Sequence, residues 1–232
     1  MMKKISAVML GLMTLGLAGQ CWAFSFGSAD AAVVIAPPVL DESNSARSET
    51  AVFAGGCFWG VQGVFEHVKG VQRAVSGYAG GAADTAQYEQ VGSGDTGHAE
   101  SVQVTFDPAQ VSYGALLQIF FSVAHNPTEI DRQGPDSGTQ YRSALFPQSA
   151  EQQRVAQAYI TQLDASRVFD KPIATRLEGA KAFYPAEDYH QDFLTLHPTH
   201  PYIVINDLPK VAHLQQLFPQ RFQAQPVLVK AQ

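Results

Sequence analysis

Thr50-Ala51-Val52-Phe53-Ala54-Gly55-Gly56-Cys57-Phe58-Trp59-Gly60 is the stretch on which the reading of the fold turns. Its uncharged, mostly apolar first half predicts a short buried strand. Beyond the glycine pair, Phe58, Val61, Val64, Phe65 and Val68 recur at helical spacing until Gly70 stops them. Cys57 is therefore expected at a strand-to-helix turn, in the first turn of the helix. Unpaired backbone N–H groups and the positive dipole end of a helix favour thiolate over thiol there. The glycine pair predicts a sharp turn and room for a substrate beside the sulfur. A cysteine packed as an inert core residue is the competing reading. The glycines and the adjoining Phe58-Trp59 tilt the position towards chemistry.

Working outward, residues 71–78 read as a strand closed by Gly80-Gly81. Residues 99–106 alternate, with Val102, Val104 and Phe106 on one face and Ser101, Gln103 and Thr105 on the other, until Asp107-Pro108 ends the pattern. Glu100 shares parity with the apolar face. A carboxyl group in that setting keeps its proton towards neutral pH and can act as a general acid. The alternative is a frayed strand end that reaches solvent. Ser112 caps a helix whose stripe is Leu116, Ile119, Phe120 and Val123. Residues 141–146 read as a strand. Ser149 and Gln152 form a capping-box pattern before a helix through about residue 163. Residues 173–177 read as a last strand and 186–194 as a short helix. Strands and helices alternate without a βαβ period, which predicts an α+β domain with helices packed on a mixed sheet.

Composition limits the function classes. Of the 232 residues, 46% are hydrophobic and 16% charged, which fits a globular chain, and the net charge of −6 leaves no basic footprint for nucleic acid. Met1-Met2-Lys3-Lys4, an uncharged apolar run over residues 5–19 and a small-residue pattern ending at Ala23 predict a secretory leader over residues 1–23. The run is too short and glycine-rich for a comfortable membrane span. Lipidation of Cys21 would want a small residue where Gln20 stands. The protein is thus expected to be periplasmic or secreted. Residues 24–48 mix Ala, Ser, Pro and acids without period and read as a linker, flexible or draped over the domain. Residues 211–232 read as a tail. With the leader removed, Cys57 is the one cysteine left, so no internal disulfide framework is possible. Tyr88 and Tyr141 lie beside turns and Asp136 in a turn-rich loop; each alone is a weak signal. His190, His197 and His200 cluster loosely but without zinc-ligand spacing, so no metal is expected.

Taken in order, Gly55-Gly56-Cys57-Phe58-Trp59-Gly60, Ser76-Gly77-Tyr78-Ala79-Gly80-Gly81, Tyr88 through Val91, Ser93-Gly94-Asp95-Thr96-Gly97-His98-Ala99-Glu100, Gly138-Thr139-Gln140-Tyr141-Arg142-Ser143 and Ala186-Glu187-Asp188-Tyr189-His190-Gln191 resemble the methionine sulfoxide reductase A family over about residues 49–210. The resemblance implies a ferredoxin-like α+β sandwich and reduction of the S epimer of methionine sulfoxide, free or in proteins. It implies that Cys57 is the nucleophile and Glu100 the proton donor to the sulfoxide oxygen. Tyr88 and Tyr141 match phenols that hydrogen-bond that oxygen, and Asp136 a residue that positions the polar network. Phe58 and Trp59 match the walls of a pocket for the substrate's S-methyl group. No bound cofactor is implied. Many members carry resolving cysteines, often near the C-terminus; this chain has none after Cys57. An external thiol is therefore expected to regenerate the enzyme: a thioredoxin-like or glutaredoxin-like protein, or a small thiol. The expected partners are oxidised proteins or free methionine sulfoxide and this reductant, with no nucleic acid and no membrane after leader removal, acting on a monomer. A thiol peroxidase and a noncatalytic exported module remain the alternatives; a cysteine hydrolase would need a histidine base that no motif places.

Overall fold

The computed structural model describes residues 32–42 and 47–229; the expected leader at 1–23, with Cys21, and part of the expected linker at 24–48 lie outside them. Strand β1 (Glu49–Gly55) is buried from Ala51 onward. Its unbroken apolar run follows from its place: it pairs antiparallel with β3 (Ala99–Phe106) on one side and β6 (Ser143–Phe146) on the other. Helix α1 (Phe58–Glu66) leads from β1 to β2 (Val71–Ala79), which also pairs antiparallel with β3. Thus β3 lies between the two strands that α1 connects. The full sheet runs β7-β6-β1-β3-β2-β8, where β7 (Arg176–Leu177) is parallel to β6 and β8 (Phe183–Pro185) is antiparallel to β2. A separate small ribbon pairs β4 (Arg132–Gln133) with β5 (Asp136–Ser137).

The helices are α1, α2 (Tyr88–Val91), α3 (Tyr113–Ile119), α4 (Ala150–Ser166), α5 (Phe193–Leu196) and α6 (Leu208–Leu217). Both expected caps form: Ser112 Oγ accepts from the Ala115 N–H at 3.2 Å and Ser149 Oγ from the Gln152 N–H at 3.0 Å. The core knits sheet to helices through Phe53, whose ring lies 4.7 Å from Phe65 and 5.3 Å from Phe120 between centroids.

The described part of the linker is draped rather than free. Tyr159 donates to the Ala36 carbonyl at 2.7 Å, Gln162 clasps Val39 and Pro37, and Asp41 accepts from the Gly114 N–H at 2.9 Å at the start of α3. Elsewhere the chain differs from expectation. The strand expected at 173–177 pairs only at 176–177, and the helix expected at 186–194 is a single tight turn at 188–190 followed by α5. The stretch expected as a tail carries most of α6, and the backbone beyond it packs back on α1: Phe222 bridges Val68, and the Val227 N–H donates to the Glu66 carbonyl.

Candidate active site

Cys57 stands at the N-cap position of α1, one residue earlier than expected, and is 9% exposed. The turn before it needs glycine for two reasons. Gly56 has φ +85°, and a Cβ there would lie 2.5 Å from Gln133 Cβ. A Cβ on Gly55 would lie 2.9 Å from the Phe120 ring and 3.0 Å from His125. Protein packs directly against both glycines; the room expected beside the sulfur is a separate cavity that Cys57 lines.

The charge state of the sulfur also departs from expectation. Burial pushes the Cys57 thiol well up, and the carboxyl groups of Glu100, Asp207 and Asp136 push it further; the Trp59 N–H, bonded to the sulfur, pulls the other way. One helix-start N–H does not outweigh desolvation and three acids. The resting sulfur is a thiol.

Glu100, 4% exposed, lies on the buried face of β3 as its parity foretold. Its Oε2 accepts the Phe58 N–H at 3.0 Å, so the Glu100 carboxyl group is tied to the residue next to Cys57. Burial raises its pKa to about 8; the Phe58 bond opposes this and Asp136 and Asp207 add to it. Glu100 therefore carries a proton near neutral pH.

All seven residues singled out in the sequence, Cys57, Phe58, Trp59, Tyr88, Glu100, Asp136 and Tyr141, line one cavity of about 230 Å³. Burial and the neighbouring acids raise Tyr88 and Tyr141, so both phenols keep their protons as hydrogen-bond donors. Two further residues line the cavity: His200, which the sequence offered only as a metal-ligand candidate, and Tyr202, which no sequence signal singled out. The Tyr202 hydroxyl donates to Asp136 Oδ2. Its position rests on the turn over Ile203–Asp207 that leads into α6, an element with no local sequence signal.

Trp59 is held on several sides. Its Nε1 donates to His190 Nδ1 at 3.1 Å, its ring stacks on Phe193 at 3.8 Å and 11°, and the Tyr202 ring meets it edge-on at 5.9 Å. Burial lowers His190, keeping Nδ1 free to accept. His190 lay in a quoted motif, but its partner was not legible. Behind the phenols, buried Arg142 fastens the loops: it pairs with Glu178 at 2.7 Å and donates to the carbonyls of Gly97, His98 and Thr139. These contacts tie the residue after Tyr141 to the loop entering β3. Among the described residues, no group of three or more His, Cys, Asp or Glu is placed to hold a metal ion.

A buried thiol, a protonated carboxyl group and two neutral phenols around one small cavity define a cysteine-centred site for a substrate whose oxygen needs protons and hydrogen bonds. The family described as peptide methionine sulfoxide reductase matches residues 49–222, beyond the 49–210 expected from the motifs. The chain is 65% identical over 190 residues to peptide methionine sulfoxide reductase MsrA 2 of Mesorhizobium japonicum, covering 82% of this chain and 97% of that protein. It is 54% identical to the MsrA 2 protein of Synechocystis sp., covering 83% and 92%. Among solved structures, methionine sulfoxide reductase A of Corynebacterium diphtheriae superposes with a TM-score of 0.57 at 34% identity, covering 68% of this chain and 78% of that one. Reduced Mxr1 of Saccharomyces cerevisiae gives a TM-score of 0.59 at 30% identity, covering 70% and 92%. The chain belongs to the peptide methionine sulfoxide reductase A family, a family of oxidoreductases.

Proposed function

We propose that this protein reduces the S epimer of methionine sulfoxide, free and in proteins, with Cys57 as nucleophile and Glu100 as acid. The observation that carries the reading is the Glu100 carboxyl group, protonated at neutral pH and anchored on the residue that follows the sulfur. Phe58 and Trp59 form the wall against the S-methyl group, where the clamp on Trp59 holds an apolar face ready. Tyr88 and Tyr141 donate to the sulfoxide oxygen, and Asp136 orients Tyr202 at the same rim.

In the reaction the Cys57 sulfur bonds to the sulfoxide sulfur while Glu100 protonates its oxygen. The thiol proton returns to the Glu100 carboxylate, the hydroxyl group passes to Cys57, and methionine leaves. Two electrons have moved from the cysteine sulfur to the substrate, leaving a sulfenic acid. An external thiol then condenses with it, releasing water and forming a mixed disulfide. A second thiol releases Cys57 and carries off the disulfide. A thioredoxin-like or glutaredoxin-like protein, or a small thiol, fills this role, since Cys57 is the one cysteine beyond Cys21.

The same reading takes the fold as ferredoxin-like, supported by the strand order β6-β1-β3-β2 with α1 crossing between β1 and β2. It takes residues 1–23 as an export leader and the mature protein as a periplasmic or secreted monomer that repairs oxidised exported proteins. The test is steady-state turnover of both epimers of a sulfoxide peptide with dithiothreitol. Turnover of the S epimer alone is expected, abolished by Cys57→Ser; normal activity in that variant refutes the reading. A Cys21–Cys57 disulfide trapped during turnover and seen by mass spectrometry would overturn the external-thiol step.

A further inference from the structure

Against the first turn of α1, outside the lining of the cavity, Asp207 and Lys210 form a buried ion pair at 3.1 Å, their side chains 0% and 9% exposed. A Cβ on Gly60 would lie 2.2 Å from Asp207 Oδ1 and 2.9 Å from Lys210 Nζ, so Gly60 is where the helix makes room for it. Asp207 occupies the N-cap position of α6, where a carboxylate ordinarily accepts the N–H groups of the second or third helical residue. It does not do so. The residue at the second helical position is Pro209, which has no N–H to offer. The carboxylate is instead turned towards α1, with Oδ2 buried and without a hydrogen-bond partner. Helix capping therefore does not explain a fully buried charge at this place, and burying it is costly.

Other titratable groups face the sulfur from the cavity side. Glu100 on β3, Asp136 on β5, and the phenols of Tyr88, Tyr141 and Tyr202 line the cavity side. His190 and His200 sit against Trp59. Asp207 and Lys210 lie outside the cavity, so substrate does not meet them, but their charges reach its centre. Asp207 pushes the Cys57 thiol up, and Lys210 pulls Asp136 down.

We propose that Asp207 and Lys210, packed on Gly60 in the first turn of α1, are positioning residues that set how readily Cys57 gives up its proton. The Asp207 carboxylate disfavours a second negative charge on the sulfur, and Lys210 limits how strongly it does so. The resting thiol is thereby kept uncharged and slow to react with oxidants until a sulfoxide occupies the cavity. The inference rests on Cys57 as the nucleophile but is read independently of turnover.

The test is the rate of Cys57 alkylation by iodoacetamide against pH, measured on the full chain. Asp207→Asn removes the negative charge and leaves the lysine, so the midpoint should fall by about 1–3 pH units, the span of one nearby charge. Lys210→Met should leave it unchanged or raise it. The double variant, a neutral pair that keeps the packing if the single variants fold poorly, should fall less than Asp207→Asn alone. A merely structural pair predicts that both single variants move the midpoint in the same direction, or not at all; either result overturns the proposal. A loss of sulfoxide reduction with no change in these midpoints likewise counts against it. If Cys57→Ser keeps normal activity, by contrast, the failure belongs to the proposed reaction.

Discussion

Two glutamates at opposite ends of the same helix share one physical history and have different prospects. Glu100 packs against the start of α1 and Glu66 closes its end; both are essentially buried, and burial is the main reason both hold their protons, to about 8 and about 9. What differs is what they face. Glu100 opens on the cavity beside Cys57. Glu66 is sealed by the C-terminal segment, with Thr195 donating to its Oε2 at 3.2 Å and its other influence coming from Asp192, which itself accepts the Val229 N–H at 2.9 Å. A strongly perturbed acid marks a functional site only where a reacting atom can reach it.

The largest effect should come from breaking the open member of the pair. Glu100→Gln is expected to slow sulfoxide reduction by about 10²–10⁴-fold, the usual worth of a positioned acid, with folding intact by circular dichroism. In the intact enzyme the acid must be protonated, so the rate should decline as pH rises through about 8. The residual rate of Glu100→Gln should lack that decline; a full-speed variant would erase the distinction between the two glutamates.

A smaller effect separates the acid from its helpers. Tyr88→Phe and Tyr141→Phe each remove one neutral donor, worth about 1 kcal/mol or somewhat more, so kcat should drop roughly tenfold in each. Losses as large as that of Glu100→Gln would move the proton-donor role to a phenol.

The smallest effect on turnover should come from the sealed member. Glu66→Gln should leave kcat within about twofold, as expected for a group that does not touch the reacting atoms. Its effect belongs to stability. The folded Glu66 titrates at about 9 and its ordinary value is 4.5, so between these the unfolded chain ionises while the folded one does not. The stabilisation tied to this group is fully present below about 4.5 and is lost as pH rises towards 9. Urea unfolding of the intact protein should weaken across that window. Glu66→Gln should flatten the trend and gain at least about 1.4 kcal/mol at pH 8, one unit's worth of shift. An unchanged slope would mean that Glu66 is not the acid concerned.

The chain sequence disclosed those parts of the site that local rules govern. Period-two parity placed Glu100 inward, and the strand–glycine–helix transition placed Cys57 within one residue of its observed position. What stayed hidden depends on contacts distant in sequence. The ionisation of Cys57 is not legible locally, because helix-end N–H groups show in the nearby sequence whereas Asp207, 150 positions away, does not. The same holds for Tyr202 and for the His190–Trp59 bond. Gly55 and Gly56 signal the turn, but what packs against them is not legible locally: Gln133 and His125 arrive from a loop whose path no periodicity describes. The two-residue strands β4, β5 and β7 and the three-residue β8 are too short to carry an alternation pattern, and α6 begins with Leu208-Pro209 after a turn that hides its start.

The clamp on Trp59 has an optical consequence. Beyond Trp22 it is the sole indole in the chain, and its emission comes from a ring fixed between Phe193 and the cavity, with its N–H committed to an imidazole. A ligand that enters displaces solvent from one face of that fluorophore only. Occupancy of the pocket can thus be followed by light, without a label and before any bond is made or broken.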